Sequence, residues 1–241
     1  MDKVVIIDNV VDINIKFRTK TEGPELNLVY NFIDNISSSF KHKTNNLAIF
    51  IEPLVDTTYP DIVFVEYSPK YIDKWNDSRN KLEKNDIKLL SIIKQFESIS
   101  SSSLYNRTKI EHKNLLLSLE KLLDSDLIRR KNEKWMIRPT KEIFYTKKIT
   151  SVEAKINQLD NLLQQADINN WFSSESYALS SVKNPQKKTI EKFINYGIGL
   201  YSMHDNKLSE LTKAKKQSIP NNYASWMFNE WLGRYITKVG V

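Results

Sequence analysis

The sequence predicts an α/β protein whose core of helices and strands is interrupted by an inserted winged helix-turn-helix. Segments rich in β-branched and aromatic residues alternate with segments whose apolar residues recur at helical spacing. Between about residues 85 and 147 the pattern changes to helix, short helix, helix and basic hairpin, which is the order of a winged helix-turn-helix. Without that stretch, the remainder is predicted to run helix, three strands, helix and strand.

The composition is that of a folded and basic chain. Its 241 residues are 40% hydrophobic and 27% charged, and the formal net charge is +7. This length accommodates one large domain or two small ones. The positive charge favours polyanionic partners, with nucleic acid first and anionic membranes second. No apolar run approaches the roughly 20 residues that span a bilayer, and the first residues lack a signal-peptide pattern. We therefore expect a cytoplasmic protein without a membrane partner.

The ligand-forming residues narrow the choice of metal. There is no cysteine, which excludes disulfides, thiol catalysis and zinc–thiolate sites. His42, His112 and His204 are scattered and show no metal-ligand spacing. Carboxylate oxygens would have to hold any metal, and such donors favour Mg²⁺ or Mn²⁺.

The first part of the core is predicted over residues 1–67. Pro24 suits the first turn of a helix, and this places Glu25 in that turn. Asp61 follows a proline and opens a strand. The predicted elements are a strand-like region at 1–20, a helix from 24 to about 36, and strands at 47–55 and 61–67.

The inserted module is predicted over residues 85–147. Asp86 is placed to cap the first helix, and the segment from Thr108 to Glu111 fits a capping box that opens the third. We expect the third helix to extend to about residue 124 and the hairpin to turn at Asn132.

Positive charge is concentrated in this module. Residues 104–148 hold twelve Lys and Arg against six acids. A basic helix and wing can neutralise phosphates, and a third helix can enter a major groove. The alternatives are a protein-contact module and a solvated lysine-rich face. The candidate DNA-binding residues are Lys109, His112 and Lys113 at the third helix, and Arg129, Arg130, Lys131 and Lys134 in the hairpin.

The second part of the core is predicted over residues 148–204. A strand at 149–156 precedes a helix that carries Gln165. The remaining elements are a strand at 176–182, a helix opened by Asn184-Pro185 and ended by Gly197, and a last strand at 198–203. The tail, residues 205–241, is expected to form a helix packed on the core.

One short segment of the strand at 149–156 carries the predicted chemistry. The period of two in a strand places Glu153 and Lys155 on one face and Ala154 on the other. Two carboxylates from adjacent strands, Asp61 and Glu153, can hold one divalent cation. A nearby lysine can orient or deprotonate a water and offset phosphate charge, so that these groups suffice for phosphodiester hydrolysis.

This set of residues resembles a known family. Pro60-Asp61 followed by Glu153-Ala154-Lys155 is similar to the signature of the PD-(D/E)xK nuclease superfamily. Glu25 matches the acid of its first core helix, and Gln165 matches a glutamine of the later helix. The surrounding sequence resembles an uncharacterised bacterial group with an inserted winged helix-turn-helix, over about residues 22–204. The similar stretches are residues 51–53, 59–63, 152–155, 165–166, 171–177 and 196–200.

The resemblance implies a restriction-endonuclease-like core and a metal-dependent DNA endonuclease. Asp61, Glu153 and Glu25 would be metal ligands, the carbonyl of Ala154 a further ligand, and Lys155 would lie near the attacking water. The resemblance also implies restriction, phage defence or a mobile element as the setting, with partner proteins from such a system. Each site would cut one strand, so a homodimer is a corollary of double-strand cleavage.

The sequence leaves several alternatives open. Asp61 and Glu153 are 92 positions apart, which we attribute to the inserted module. Glu66 is an alternative acid closer to Asp61, and Glu22 is an alternative to Glu25. Each candidate also has a purely structural interpretation. Glu25 would then be an acid that interacts with the helix dipole, and Asp61 would be a turn residue. Glu153 and Lys155 would form a solvated strand face, and Gln165 would be a structural glutamine. The alternative functions are an inactive nuclease-fold DNA-binding protein and an interaction subunit of a larger complex.

Overall fold

The computed structural model describes residues 3–8, 13–19, 22–69 and 75–239. The chain forms two compact units. The first, called the sheet unit, contains Met1–Val11, Ile15–Tyr67 and Thr146–Asn221. The second, called the helical unit, contains Asp12–Asn14, Ser68–Tyr145 and Asn222–Val241.

The described part of the chain contains eight α-helices and ten strands. In chain order they are β1 (Val4–Ile7), α1 (Pro24–Ser39), β2 (Asn46–Ile51), β3 (Ile62–Tyr67), α2 (Lys84–Ile93), β4 (Ile99–Ser100), α3 (Ser101–Thr108), α4 (His112–Asp124), β5 (Ile128–Lys131), β6 (Lys134–Ile137), α5 (Thr140–Ile143), β7 (Thr146–Lys155), α6 (Leu159–Ile168), β8 (Glu175–Ser180), α7 (Lys187–Tyr196), β9 (Gly199–His204), β10 (Lys207–Thr212) and α8 (Tyr223–Val239). Short 3-10 turns lie at Asp77–Lys81 and Asn169–Trp171.

The sheet unit is built on a mixed seven-stranded sheet with the strand order β1-β2-β3-β7-β8-β9-β10. β2, β3 and β7 pair in antiparallel fashion, whereas β7, β8 and β9 run parallel to one another. β2 and β8 are buried along their whole length, as expected for strands covered on both faces. The predicted α/β class is therefore confirmed.

Helices cover the sheet with apolar faces. In α1, Leu28, Val29, Phe32 and Ile33 are buried against the sheet, at the spacing that places them on one helical face. The helix begins at Pro24, as predicted. A second apolar cluster joins α6, α7 and the strands beside them.

Two predictions in the second half of the sheet unit need correction. Residues 207–212, expected to be part of a helical tail, form β10, which pairs with β9 in antiparallel fashion. Most of its residues are exposed or partly buried, which suits its position at the edge of the sheet. α7 begins after Gln186, later than the predicted start at Asn184-Pro185. It ends at Gly197, as predicted, because this residue adopts a left-handed φ of 71°.

The helical unit combines helices with a three-stranded antiparallel sheet of order β4-β6-β5. Between β5 and β6 the chain turns at Asn132 and Glu133, which have φ values of 49° and 59°. Positive φ at both turn residues is the geometry of a tight hairpin, so the predicted hairpin is confirmed. α2, α3 and α4 precede it in the chain.

The structure corrects both predicted helix caps in this unit. Glu83, not Asp86, caps α2, and Asp86 accepts a hydrogen bond from the backbone N–H of Glu83 at 2.9 Å. Thr108 belongs to the last turn of α3, where its hydroxyl donates to the carbonyl of Leu104 at 2.9 Å. It is therefore not the cap of the third helix, and α4 begins at His112.

A buried ion pair and a hydrogen bond from a buried arginine hold α8 in place within the helical unit. The Arg79 guanidinium donates to the Glu230 carboxylate at 2.9 Å, and both side chains are almost completely buried. Arg234, also buried, donates to the carbonyl of Leu82 at 2.6 Å. Because buried charges are stable only when paired, these contacts fix the position of α8 against the chain around Arg79.

None of the helices in the described ranges is both long enough and apolar enough to cross a membrane.

Candidate active site

Asp61 and Glu153 meet at the end of the antiparallel pair of β3 and β7. Ile62 lies opposite Val152 in this pair, so the preceding Asp61 lies opposite Glu153. Oδ2 of Asp61 accepts a hydrogen bond of 2.7 Å from the backbone N–H of Ala154. The two carboxyl groups are also close enough for each to shift the pKa of the other. The structure thus brings together two acids that are 92 positions apart in the sequence.

The ionisation of this pair is perturbed by its surroundings. Burial raises the pKa of Glu153 to about 8, and the negative charge of Asp61 acts in the same direction. Burial also raises the pKa of Asp61, although the hydrogen bond from Ala154 and the charge of Lys155 oppose that rise. Two carboxylates in contact resist simultaneous ionisation. The pair consequently shares a proton at neutral pH when no cation is bound.

Asn169 supports Glu153 and was not predicted from the sequence. Its side-chain amide donates to Oε1 of Glu153 at 2.6 Å, and the residue is buried. The carbonyl of Asn169 accepts from the hydroxyl of Ser173 at 2.9 Å. The sequence does contain a signal for Asn169, because this residue continues the buried stripe of Leu162 and Ala166 at helical spacing. A buried amide at such a position requires a polar partner.

Lys155 lies at the end of β7 and pairs with Glu25 in the first turn of α1. Its Nζ atom is 3.2 Å and 3.4 Å from the two carboxylate oxygens of Glu25. Lys155 also lowers the pKa of Asp61 and Glu153, whereas Glu25 contributes a small upward shift to the pKa of Asp61. The ammonium group therefore lies within electrostatic reach of all three acids.

Glu25, Asp61 and Glu153 do not form a preassembled ligand cage. Within the described ranges, no group of three acidic, histidine or cysteine side chains has the geometry to hold a metal ion. Asp61 and Glu153 lie opposite each other, while Glu25 is paired with Lys155. The chemistry of the two paired acids nevertheless suits Mg²⁺ or Mn²⁺, because these cations prefer carboxylate oxygens and can replace the proton that the pair shares.

The pair opens into a cavity of about 510 Å³ within the sheet unit. Gln165 of α6 lies on its wall, as do Glu25 and Lys155. The further polar residues of the wall are Arg18, Glu22, Glu52 and Tyr59. Of these, the sequence had not indicated Arg18 or Tyr59 as part of the site. A polar cavity of this volume accommodates a nucleotide-sized group.

Glu66, the alternative acid, is part of a separate ion pair. It lies opposite Lys148 in the pairing of β3 with β7, and the two side chains are 4.0 Å apart. Glu66 is not among the residues that line the cavity. Among the described acids, Glu153 is therefore the partner of Asp61.

The seven candidate DNA-binding residues are all exposed in the helical unit. Lys109 lies between α3 and α4 with a left-handed φ of 55°, so it is not part of the third helix. His112 begins α4 and stacks on Tyr105 at 4.0 Å. Arg130 lies over the ring of Trp135 at 5.4 Å. The exposed set is Lys109, His112, Lys113, Arg129, Arg130, Lys131 and Lys134.

Comparison of the chain with protein-family models, with curated proteins and with solved structures finds no match in any of the three.

Proposed function

We propose that this chain is a metal-dependent DNA endonuclease of the PD-(D/E)xK type. The observation that carries the proposal is the position of Asp61 opposite Glu153, with Lys155 beside them on a polar cavity. Paired carboxylates and a lysine at a strand end supply the groups that phosphodiester hydrolysis requires.

The order of elements in each unit supports this proposal. α1, β2, β3, β7, α6 and β8 follow one another as helix, three strands, helix and strand once the helical unit is set aside. This is the order expected of a restriction-endonuclease-like core. In the helical unit, α2, β4, α3, α4, β5 and β6 follow the order of a winged helix-turn-helix with the hairpin as its wing.

Asp61, Glu153 and the carbonyl of Ala154 would hold the metal. When bound, Mg²⁺ or Mn²⁺ would polarise the phosphate and lower the pKa of a water molecule. The backbone N–H of Ala154 fixes the carboxylate of Asp61, and Asn169 fixes that of Glu153. Glu153 must release its proton before both acids can act as ligands.

Lys155 would orient the attacking water and offset the charge that develops on the phosphate. Its ion pair with Glu25 keeps the ammonium group at the cavity. Glu25 would serve as a further ligand only after separating from Lys155. Gln165 would contact the substrate from the wall of the cavity.

The wing would provide most of the contacts to duplex DNA. Arg129, Arg130, Lys131 and Lys134 are exposed on one short hairpin. Such a cluster neutralises phosphates without regard to sequence. Restriction, phage defence or a mobile element, with partner proteins from such a system, is the setting that we propose from the family resemblance.

Metal-dependent nicking of plasmid DNA tests the proposal. The wild-type chain is compared with Asp61→Asn and Lys155→Ala in Mg²⁺, in Mn²⁺ and in a chelator. Lys188→Ala is a matched control, because Lys188 is an exposed lysine of α7 that does not line the cavity. We expect wild type and control to cut equally and the two site variants to lose about 10²-fold or more in rate.

A second candidate is a DNA-binding protein that retains this fold without cutting. It is favoured by the ion pair of Glu25 with Lys155. DNA binding by wild type without any metal-dependent cleavage would support it. A chain that neither binds nor cuts DNA would instead favour an interaction subunit.

A further inference from the structure

α4 carries a second apolar stripe that faces solvent. Leu115, Leu119 and Leu122 form its buried stripe. Leu116 and Leu117 lie on a different face and are 52% and 46% exposed. Leu123, two turns after Leu116, is 42% exposed. Exposed leucines grouped on one helix are typical of interaction surfaces rather than of solvated faces.

The same face carries one charge of each sign. Lys113, Leu116, Leu117 and Glu120 are at positions i, i+3, i+4 and i+7, which share one side of a helix. Lys113 and Glu120 are both exposed, and neither forms an ion pair with another described side chain. We call these four residues the α4 face.

The composition of the α4 face does not suit a DNA groove. Leucine reads only the methyl group of thymine in the major groove, and glutamate is repelled by phosphates. The basic residues of the hairpin are the more favourable contacts for DNA. The outward side of α4 is therefore left for a protein partner.

The α4 face is complementary to itself. In an antiparallel pair of α4 helices related by a two-fold axis between positions 116 and 117, Leu116 of one copy lies opposite Leu117 of the other. The same arrangement places Lys113 of each copy opposite Glu120 of its partner, so the dimer contains two equivalent Lys113–Glu120 ion pairs. Isologous contacts of this kind generate closed dimers.

We propose that the α4 face binds the α4 face of a second copy of this chain. The 13 residues of α4 are about 20 Å long, so the contact is small and the dissociation constant is expected in the micromolar range. This inference goes beyond the proposed nuclease activity, because dimerisation through α4 requires neither metal nor DNA.

Charge reversal tests the dimer on the full chain by sedimentation velocity at about 1 to about 200 µM, in low salt without metal or DNA. Lys113→Glu and Glu120→Lys each place like charges opposite one another. We expect each variant alone to dimerise at least about tenfold more weakly than wild type. The double variant carrying both changes should recover dimerisation, and an equimolar mixture of the two single variants should form heterodimers.

The control is Lys188→Glu, which makes the same charge change on α7 of the sheet unit. A wild-type chain that stays monomeric across the whole concentration range would overturn the proposal. Equal dimerisation of wild type and both single variants would also overturn it, because the dimer would then use another surface. The proposal would likewise be overturned if neither the double variant nor the mixture recovered dimerisation. None of these results depends on nuclease activity, so the two proposals fail independently.

Discussion

The side-chain amide of Asn169 donates a 2.6 Å hydrogen bond to Oε1 of Glu153. Asn169 is buried at the end of α6, whereas Glu153 is near the end of β7. The amide stabilises the ionised form of a carboxylate whose pKa burial raises to about 8. Asn169 is therefore a positioning residue for the proposed metal ligand.

Asn169→Ala should move the pH dependence of cleavage to higher pH. Without the amide donor, the pKa of Glu153 rises further, so ionisation of the ligand requires more alkaline conditions. The measurement is the cleavage rate from about pH 6 to about pH 10 at fixed metal concentration. Asn170→Ala is the matched control, since Asn170 donates to Asp167 and not to Glu153. A uniform loss of rate without displacement of the profile would mean that Asn169 has only a structural role.

Binding of Mn²⁺ should release about one proton per site near pH 7. The metal-free pair of Asp61 and Glu153 retains a proton because the pKa of Glu153 is raised to about 8. Affinity for the metal should therefore rise with pH and level off above about pH 8, where Glu153 is already ionised. Isothermal titration calorimetry in buffers of different ionisation enthalpy measures the proton release. Binding heats that do not depend on the buffer would contradict the predicted release of a shared proton.

Glu153→Gln should stabilise the metal-free chain at alkaline pH while abolishing cleavage. The folded-state pKa of Glu153, about 8, is above its ordinary value of 4.5. Its contribution to stability is therefore fully present below about pH 4.5 and is lost as the pH rises through about 8. The glutamine carries no charge and avoids this loss.

We expect Glu153→Gln to raise the free energy of unfolding by roughly 1–3 kcal/mol at alkaline pH. The gain should be smaller at acidic pH, where Glu153 of the wild type is protonated. Urea denaturation at about pH 6 and about pH 9, without metal, measures the difference. An equal effect at both pH values would show that the charge of Glu153 is not its cause.

Glu230→Ala should destabilise the helical unit. The substitution leaves Arg79 buried without its carboxylate partner, and such a loss costs roughly 3–5 kcal/mol. Asp160→Ala breaks the exposed ion pair with Lys192 and should cost no more than about 1 kcal/mol. Thermal unfolding of both variants beside wild type compares them. Similar melting temperatures for the two variants would argue against a structural role of the buried pair.

Removing Arg130 and Lys131 should weaken DNA binding and reduce its dependence on salt. Each lost phosphate contact lowers the slope of log K against log salt concentration by about one. Lys141→Ala, at an exposed lysine of α5, is the control. Fluorescence anisotropy with duplex DNA at several salt concentrations gives the slopes. Unchanged slopes in the hairpin variants would exclude the wing as the phosphate-binding surface.

Much of the fold could be predicted because its signals are local. The start of α1 at Pro24, the hairpin turn at Asn132 and the end of α7 at Gly197 each depend on residues that are close in sequence. The caps of α2 and α4 and the strand β10 were predicted wrongly. Several polar residues near a helix end can each satisfy the same backbone groups, so sequence spacing does not decide between them.

The sequence by itself determined the candidate acids, the candidate lysine and the concentration of positive charge in the inserted module. Only the tertiary structure decided that Asp61 opposes Glu153, that Glu25 pairs with Lys155 and that Asn169 supports the site. These relationships come from strand register and helix packing across long separations in the chain. The ionisation of the acids also depends on burial, a property of the packed structure that sequence spacing does not encode.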